Sequence, residues 1–280
     1  MGSWIALPAV LVAVAAVVVL LWRAGGGETA DPGPVHVHGL GVNPADGALF
    51  IATHTGLYRL APDAEKAERV GESYQDTMGF TVVGPDRFLG SGHPDVRDDL
   101  PPLLGLIEST DAGETWEPVS LLGEADFHVL RSAGDRVYGY DASNDRLLVS
   151  ADHGRAWSEL RKPGLILDLA VDPEDSGRLV IVSSEGLFES RNGGETWDRV
   201  GDEVGLLAWP SPGQLYVVNG EGQVFRSTSG GRELDERGAI GGEPAALLFA
   251  GAQGLFAALH DGTITHSKDG GATWVVRSTP

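Results

Sequence analysis

The chain has 280 residues, with 40 acidic against 20 basic side chains and a formal net charge of -20. That balance excludes a nucleic-acid backbone as partner, because such affinity is built from clustered Lys and Arg. The lack of any cysteine excludes a disulfide framework or a thiolate metal site, and 40 glycines with 42% hydrophobic residues fit a turn-rich globular fold rather than a disordered chain.

From Trp4 to Trp22 the sequence is uncharged and apolar, "WIALPAVLVAVAAVVVLLW". It is long enough to cross a bilayer as one helix, with a Trp at each end where aromatic belts sit. It has neither a basic n-region nor a small-residue cleavage site, so an uncleaved anchor over 1–23 is expected in preference to a removed signal peptide. Arg23, on the C-terminal side, taken alone would keep the remainder cytoplasmic. Residues 24–33 form a Gly/Pro linker, and a folded domain is expected over 34–280.

Within that domain a unit of four short strands repeats. Residues 166 to 200 show it most plainly: "ILDLAV", "DPEDSG", "RLVIVS", "SEG", "LFES", "RNGGET", "WDRV". Taken in chain order the units cover approximately 34–71, 76–121, 127–161, 166–200, 204–238 and 244–277. Their best marker is a corner between the third and fourth strands: "STDAGETW", "SADHGRAW", "SRNGGETW", a worn "STSGGREL" and "SKDGGATW". These begin at Ser109, Ser150, Ser190, Ser227 and Ser267, at spacings of 41, 40, 37 and 40. A period near 40 with four strands per repeat predicts an all-β, six-bladed β-propeller.

Each residue of the corner has a structural reason. Ser109, Ser150, Ser190 and Ser267, with Asp111, Asp152, Asn192 and Asp269, can bond to nearby backbone groups and pin a tight turn. Gly113, Gly154, Gly194 and Gly271 can take the positive φ of such a corner. Trp116, Trp157, Trp197 and Trp274 then fill space between adjacent sheets.

These motifs, S-x-D-x-G-x-T-W in "STDAGETW" with close variants, resemble the Asp-box (BNR) repeats of the sialidase-like six-bladed propellers, over nearly all of 34–280. The chain is also similar to small bacterial extracytoplasmic propellers described as glycosylhydrolase-like or exo-sialidase-like. The resemblance implies an exported domain, single-pass at the cell membrane, against the vote of Arg23. It also implies that the Asp boxes lie on the face away from the active site. In sialidases three arginines hold the substrate carboxylate, the first in an F/Y-R-x-P motif, beside an Asp acid/base and a Tyr-Glu nucleophile pair; bidentate guanidinium suits a carboxylate. No F/Y-R-x-P motif is present, and Arg59, Arg155, Arg191 and Arg226 fall on third strands or Asp-box turns. Asp141 and Glu185 close second strands and are the weak candidates for a glycosidase carboxylate, though such loop acids are mostly solvated turn residues.

In a four-stranded blade the start of the first strand and the end of the second share one end, beside the central channel. His36 and His38, at i and i+2 in "VHVHGLGV", begin the first blade. His54 closes its second strand, Met78 opens the second blade, and His93 closes that blade's second strand ahead of the longest insertion, "HPDVRDDLPP". His128 and His260 hold comparable positions. Imidazoles with a thioether suit a copper-like late transition metal, so His36, His38, His54, Met78 and His93 are the candidate metal ligands. The expected function is an anchored, extracytoplasmic propeller that binds a metal, small ligand or protein partner at its channel face without sialidase catalysis; the alternative is an exo-glycosidase.

Overall fold

The computed structural model describes residue 31 and residues 33–280; the predicted anchor and nearly all of the linker lie outside the described residues. Among the described residues no helix is long and apolar enough to cross a membrane, and apart from a 3-10 turn at Gly251–Gln253 all regular structure is strand.

Six four-stranded antiparallel sheets follow in chain order. Blade 1 is β1 (Val37–Val42), β2 (Leu49–Thr53), β3 (Gly56–Leu60) and β4 (Glu68–Arg69). Blade 2 is β5 (Asp76–Gly84), β6 (Arg87–His93), β7 (Leu106–Ser109) and β8 (Glu117–Ser120). Blade 3 is β9 (Phe127–Ala133), β10 (Arg136–Asp141), β11 (Arg146–Ser150) and β12 (Ser158–Leu160). Blade 4 is β13 (Ile166–Asp172), β14 (Asp175–Ser183), β15 (Gly186–Ser190) and β16 (Asp198–Gly201). Blade 5 is β17 (Gly205–Ala208), β18 (Leu215–Asn219), β19 (Gln223–Ser227) and β20 (Asp235–Ala239). Blade 6 is β21 (Pro244–Phe249), β22 (Leu255–Leu259), β23 (Ile264–Ser267) and β24 (Val275–Ser278). The innermost strands β1, β5, β9, β13, β17 and β21 pack in a ring that returns to β1. The six-bladed propeller expected from the repeat period is therefore the fold.

Middle strands such as β2 and β15 are buried along their whole length, because neighbouring blades cover both faces of each sheet. This is why they read as near-continuous apolar runs, whereas the outermost strands, such as β8 and β16, are polar and largely exposed. Between blades the core is a series of apolar wedges, one of which joins Tyr138, Leu147 and Ile181 across blades 3 and 4.

The Asp boxes make the predicted corners. Ser109 Oγ accepts from Gly113 N at 2.8 Å and donates to Asp111 Oδ1 at 2.8 Å, and Asp111 accepts from Thr115 N and Oγ1. Ser150, Ser190 and Ser267 repeat the bond to Gly154, Gly194 and Gly271, and Ser227 of the worn copy makes it to Gly231. Gly113 has φ +89°, which favours glycine, and a Cβ there would have to displace the Leu57 side chain of the preceding blade, 2.3 Å away. Trp157 and Trp197 donate their indole N–H to Ser120 Oγ and the Arg161 carbonyl, tying each corner to the blade before it.

The ring closes without a shared blade. Leu40, Ile51 and Tyr58 of blade 1 pack with Phe256, Ala258 and Ile264 of blade 6. Arg277 on β24 donates to the carbonyls of Ala61, Pro62 and Ala64, and Ser278 Oγ donates to Glu65 O at 3.0 Å. Apolar packing and one arginine clamp therefore hold the seam.

Candidate functional site

Five of the six innermost strands carry a register irregularity at the same place, near their start. The residue left without a partner is His38, Met78, His128, Leu167 or Ala245 in blades 1, 2, 3, 4 and 6. A bulge of this kind re-aims one side chain out of the pleat. His38, His128, Leu167 and Ala245 accordingly line the central cavity of about 360 Å³. Two positions earlier in the same register stand His36, Asp76, Asp126, Leu165 and Glu243. One residue past the second strand stand His54, Ala142, Ser184 and His260, whose N–H groups reach the carbonyls of His36, Asp126, Leu165 and Glu243. All of this lies at the end of the blades opposite the Asp-box corners.

At the junction of blades 1 and 2 these positions bring His38, His54 and Asp76 together. His54 Nδ1 is 3.0 Å from Asp76 Oδ2, and His38 Nε2 is 3.5 Å from Asp76 Oδ1. The three ligand atoms lie within 4.8 Å of one another. His38 Nε2 and Asp76 Oδ1 are both buried and make no hydrogen bond. Burial pushes the His38 imidazole down to about 4, against the pull of Asp76, with His54, His128 and His36 adding repulsion, so its ring is neutral at neutral pH and offers a lone pair. The hydrogen bond that His54 donates to the Asp76 carboxylate raises its imidazole.

The five predicted ligands are thus divided. His38 and His54 meet as expected. His36 is exposed at the rim, its ring centroid 6.3 Å from that of His54. Met78 is half-buried at the β5 bulge, two residues beyond Asp76. His93 joins a neighbouring group instead: its Nε2 is 3.6 Å, and that of His128 2.9 Å, from Asp126 Oδ2. Asp76 and Asp126 were not among the sequence candidates. Their signal is positional, since both fall two residues ahead of a bulge in the register that also holds His36.

The weak glycosidase candidates have other work. Asp141 is fully buried; it accepts from Asp126 N, from Asn144 Nδ2 at 2.9 Å and from both Nε and Nη2 of Arg146. It fixes the start of β9 and is closed to a substrate. Glu185 is an exposed turn residue between β14 and β15. Among the residues lining the cavity Arg131 is the one arginine, and its Nη2 is held by Asp168 at 2.6 Å, a buried carboxyl that burial pushes up. Among the described residues no arginine trio lines the cavity.

Part of the opposite arc of the mouth is apolar, although Glu243 and His260 of blade 6 stand exposed at the same end. Leu165, Leu167 and Val204 are 50%, 42% and 40% exposed, in blade 4 and just ahead of blade 5.

Comparison with known proteins agrees with the architecture. No protein-family profile matches the chain. A xyloglucanase, Xgh74A of Acetivibrio thermocellus, is 25% identical over 78% of this chain and 35% of its own length. The dispase autolysis-inducing protein of Streptomyces mobaraensis is 29% identical over 56% of this chain and 38% of its own. The chain therefore spans little more than a third of the curated relatives it matches. Among solved structures, a GH74 enzyme from Niastella koreensis has a TM-score of 0.62 at 14% identity, covering 87% of this chain and 45% of that one. YCF48 from Cyanidioschyzon merolae has a TM-score of 0.56 at 13% identity, covering 88% and 86%. At such identities the structural likeness speaks for the propeller fold.

Proposed function

We propose that this propeller is a binding module whose channel mouth captures a divalent transition-metal ion on His38, His54 and Asp76, and through its open coordination positions a small ligand or partner group. The observation that carries this is the pair of buried, unbonded atoms His38 Nε2 and Asp76 Oδ1, 3.5 Å apart. Leaving such atoms unsatisfied is costly. Ligands about 2.0–2.1 Å from a tetrahedral ion sit about 3.4 Å from each other, so one ion between them satisfies both. Two imidazoles and a carboxylate form a borderline donor set suited to Zn²⁺ or Cu²⁺; the thioether expected to favour Cu(I) is not one of the three. Elemental analysis of the purified chain, followed by Zn²⁺ and Cu²⁺ titration of the wild type and of the His38→Ala/His54→Ala variant, tests it. Unchanged affinity in the variant overturns the proposal.

A second reading is glycoside hydrolysis, favoured by the 25% identity to a xyloglucanase. Its carboxylates would be Asp76 and Asp126 at the same mouth rather than Asp141 and Glu185. Release of reducing sugar from xyloglucan, lost in Asp76→Asn and Asp126→Asn, supports it; no release over buffer removes it. We further propose that the apolar segment Trp4 to Trp22 anchors the propeller at the extracytoplasmic side of a cell membrane, which protease accessibility in intact cells tests.

A further inference from the structure

We infer that a cavity of about 330 Å³ between blades 5 and 6, at the end that carries the Asp boxes, binds a phosphate group, free or as a small monoester, on Arg226, Arg237, Lys268 and the Tyr216 hydroxyl. It stands apart from the channel mouth.

The position of Arg226 leads to it. The residue one place ahead of the Asp-box serine, on the third strand, is Glu108, Val149, Glu189, Arg226 and His266 in blades 2 to 6, and Arg59 holds the same place in blade 1. Every other ionisable residue in this row is served. Arg59 pairs with Asp46 at 2.7 Å, Glu108 with Arg87, Glu189 with Arg178, Arg191 and Arg232, and His266 with the Gln253 carbonyl. Arg226 forms no hydrogen bond or ion pair among the described residues, and its Nε is buried. A charged N–H withdrawn from water without an acceptor is costly, and a bound oxyanion removes that cost.

Arg237 supplies the independent observation. A register irregularity between β19 and β20 leaves it unpaired, and such a bulge re-aims a side chain. The same bulge in blade 6 leaves Arg277, whose guanidinium serves the carbonyls of Ala61, Pro62 and Ala64. Among the described residues Arg237 serves none, and Lys268 of the blade 6 corner is likewise unpaired. Tyr138 of blade 3 donates its hydroxyl to Ser176 O at 2.9 Å, whereas Tyr216, at the same place in blade 5 and 3% exposed, has no such acceptor. A Cβ at Gly270 would stand 3.0 Å from the Tyr216 hydroxyl, which puts that donor at the blade 6 corner beside Lys268.

No carboxylate balances these donors. Asp269 lines the cavity, but its oxygens are taken by Ser267 Oγ and by Thr273 N and Oγ1. Asp235, opposite Arg226 on β20, forms no ion pair with it. In a chain of net charge -20 this is a local surplus of positive charge, and it selects an anion. Guanidinium forks match phosphate oxygens in pairs, and a lysine adds a point charge. A phosphate group presents acceptor oxygens all round, whereas a carboxylate presents them in one plane, so donors converging from two blades favour phosphate.

The test is calorimetric titration of the full chain, stripped of metal with chelator, with inorganic phosphate, glycerol 2-phosphate and acetate. Wild type should bind one equivalent of phosphate. Arg226→Ala and Arg237→Ala should each weaken it by about tenfold or more, the effect of a charge-assisted hydrogen bond, and acetate should be weaker by a similar factor. Arg226→Lys keeps the charge without the fork and should fall between wild type and Arg226→Ala. His54→Ala should bind phosphate as wild type does. Glycerol 2-phosphate bound as well as the free ion supports a site for esters, and the free ion bound alone supports a site for that ion. No phosphate binding by wild type overturns the inference, as does equal affinity in wild type, Arg226→Ala and Arg237→Ala. Acetate bound as tightly as phosphate overturns the assignment to phosphate. Arg237 is exposed on the outermost strand, so its variant tests the site even where Arg226→Ala fails to fold, which circular dichroism detects.

Discussion

His38 on β1 and Asp76 at the start of β5 face each other across a blade junction with buried polar atoms 3.5 Å apart, and neither atom is hydrogen-bonded. Asp141, a blade away and at least as deeply placed, instead takes four donors.

Metal affinity at this pair should fall with acid. The ligands must be deprotonated to bind, so protons compete with the ion. His38, at about 4, gives no competition near neutrality. His54, raised by Asp76, is protonated first and sets the upper edge of the loss. Zn²⁺ titrations across the neutral-to-acid range should show affinity declining as pH drops through the titration of His54. Asp76→Asn should weaken binding by more than the roughly 10–100-fold typical of removing an outer-shell partner.

Asp-box carboxylates should contribute stability with a defined pH window. Asp269 is held down to about 2 by the Thr273 side chain and N–H and by Ser267. Asp111 and Asp152 are likewise lowered. A lowered folded-state pKa gives stability that is complete above the ordinary carboxylate value, about 3.9, and is lost as pH falls below it. The thermal-midpoint difference between wild type and Asp269→Asn should be constant above that value and should shrink toward pH 2.

Asp141→Ala should destabilise the domain by about 3 kcal/mol in urea unfolding, the low end of the range for breaking a buried ion pair, because Arg146 keeps some access to water. Its side chain is fully buried and Arg146 is 34% exposed. A variant that melts like wild type would show that the start of β9 is held by other means.

Arg277→Ala should open the seam. The guanidinium serves three carbonyls of blade 1, and hydrogen bonds from a charged donor are worth about 1.5–3 kcal/mol each at most. Limited proteolysis should then cut first within β24, faster than in wild type, while the other blades stay protected.

The blades were legible in the sequence because an Asp box needs fixed residue types at fixed offsets, and five copies mark the period. The histidines were legible as a group, since strand ends in a repeat share one end of the sheet. Asp76 and Asp126 were not. A carboxylate just ahead of a strand looks like any turn residue, and the bulge that turns His38 and His128 toward the channel is a backbone irregularity with no residue type of its own. Asp141 misled for the opposite reason: beside "ASN" it reads as a solvated turn, yet Arg146 across the hairpin draws it inside.

A ring of six like blades has no built-in compass. The mouth acquires one because His38, His54, Asp76, His93, Asp126 and His128 gather on blades 1 to 3, while the exposed Leu165, Leu167 and Val204 lie across from them. A guest taken up there, as proposed above, would meet unlike halves and be turned by them, its electron-donating end toward the histidines.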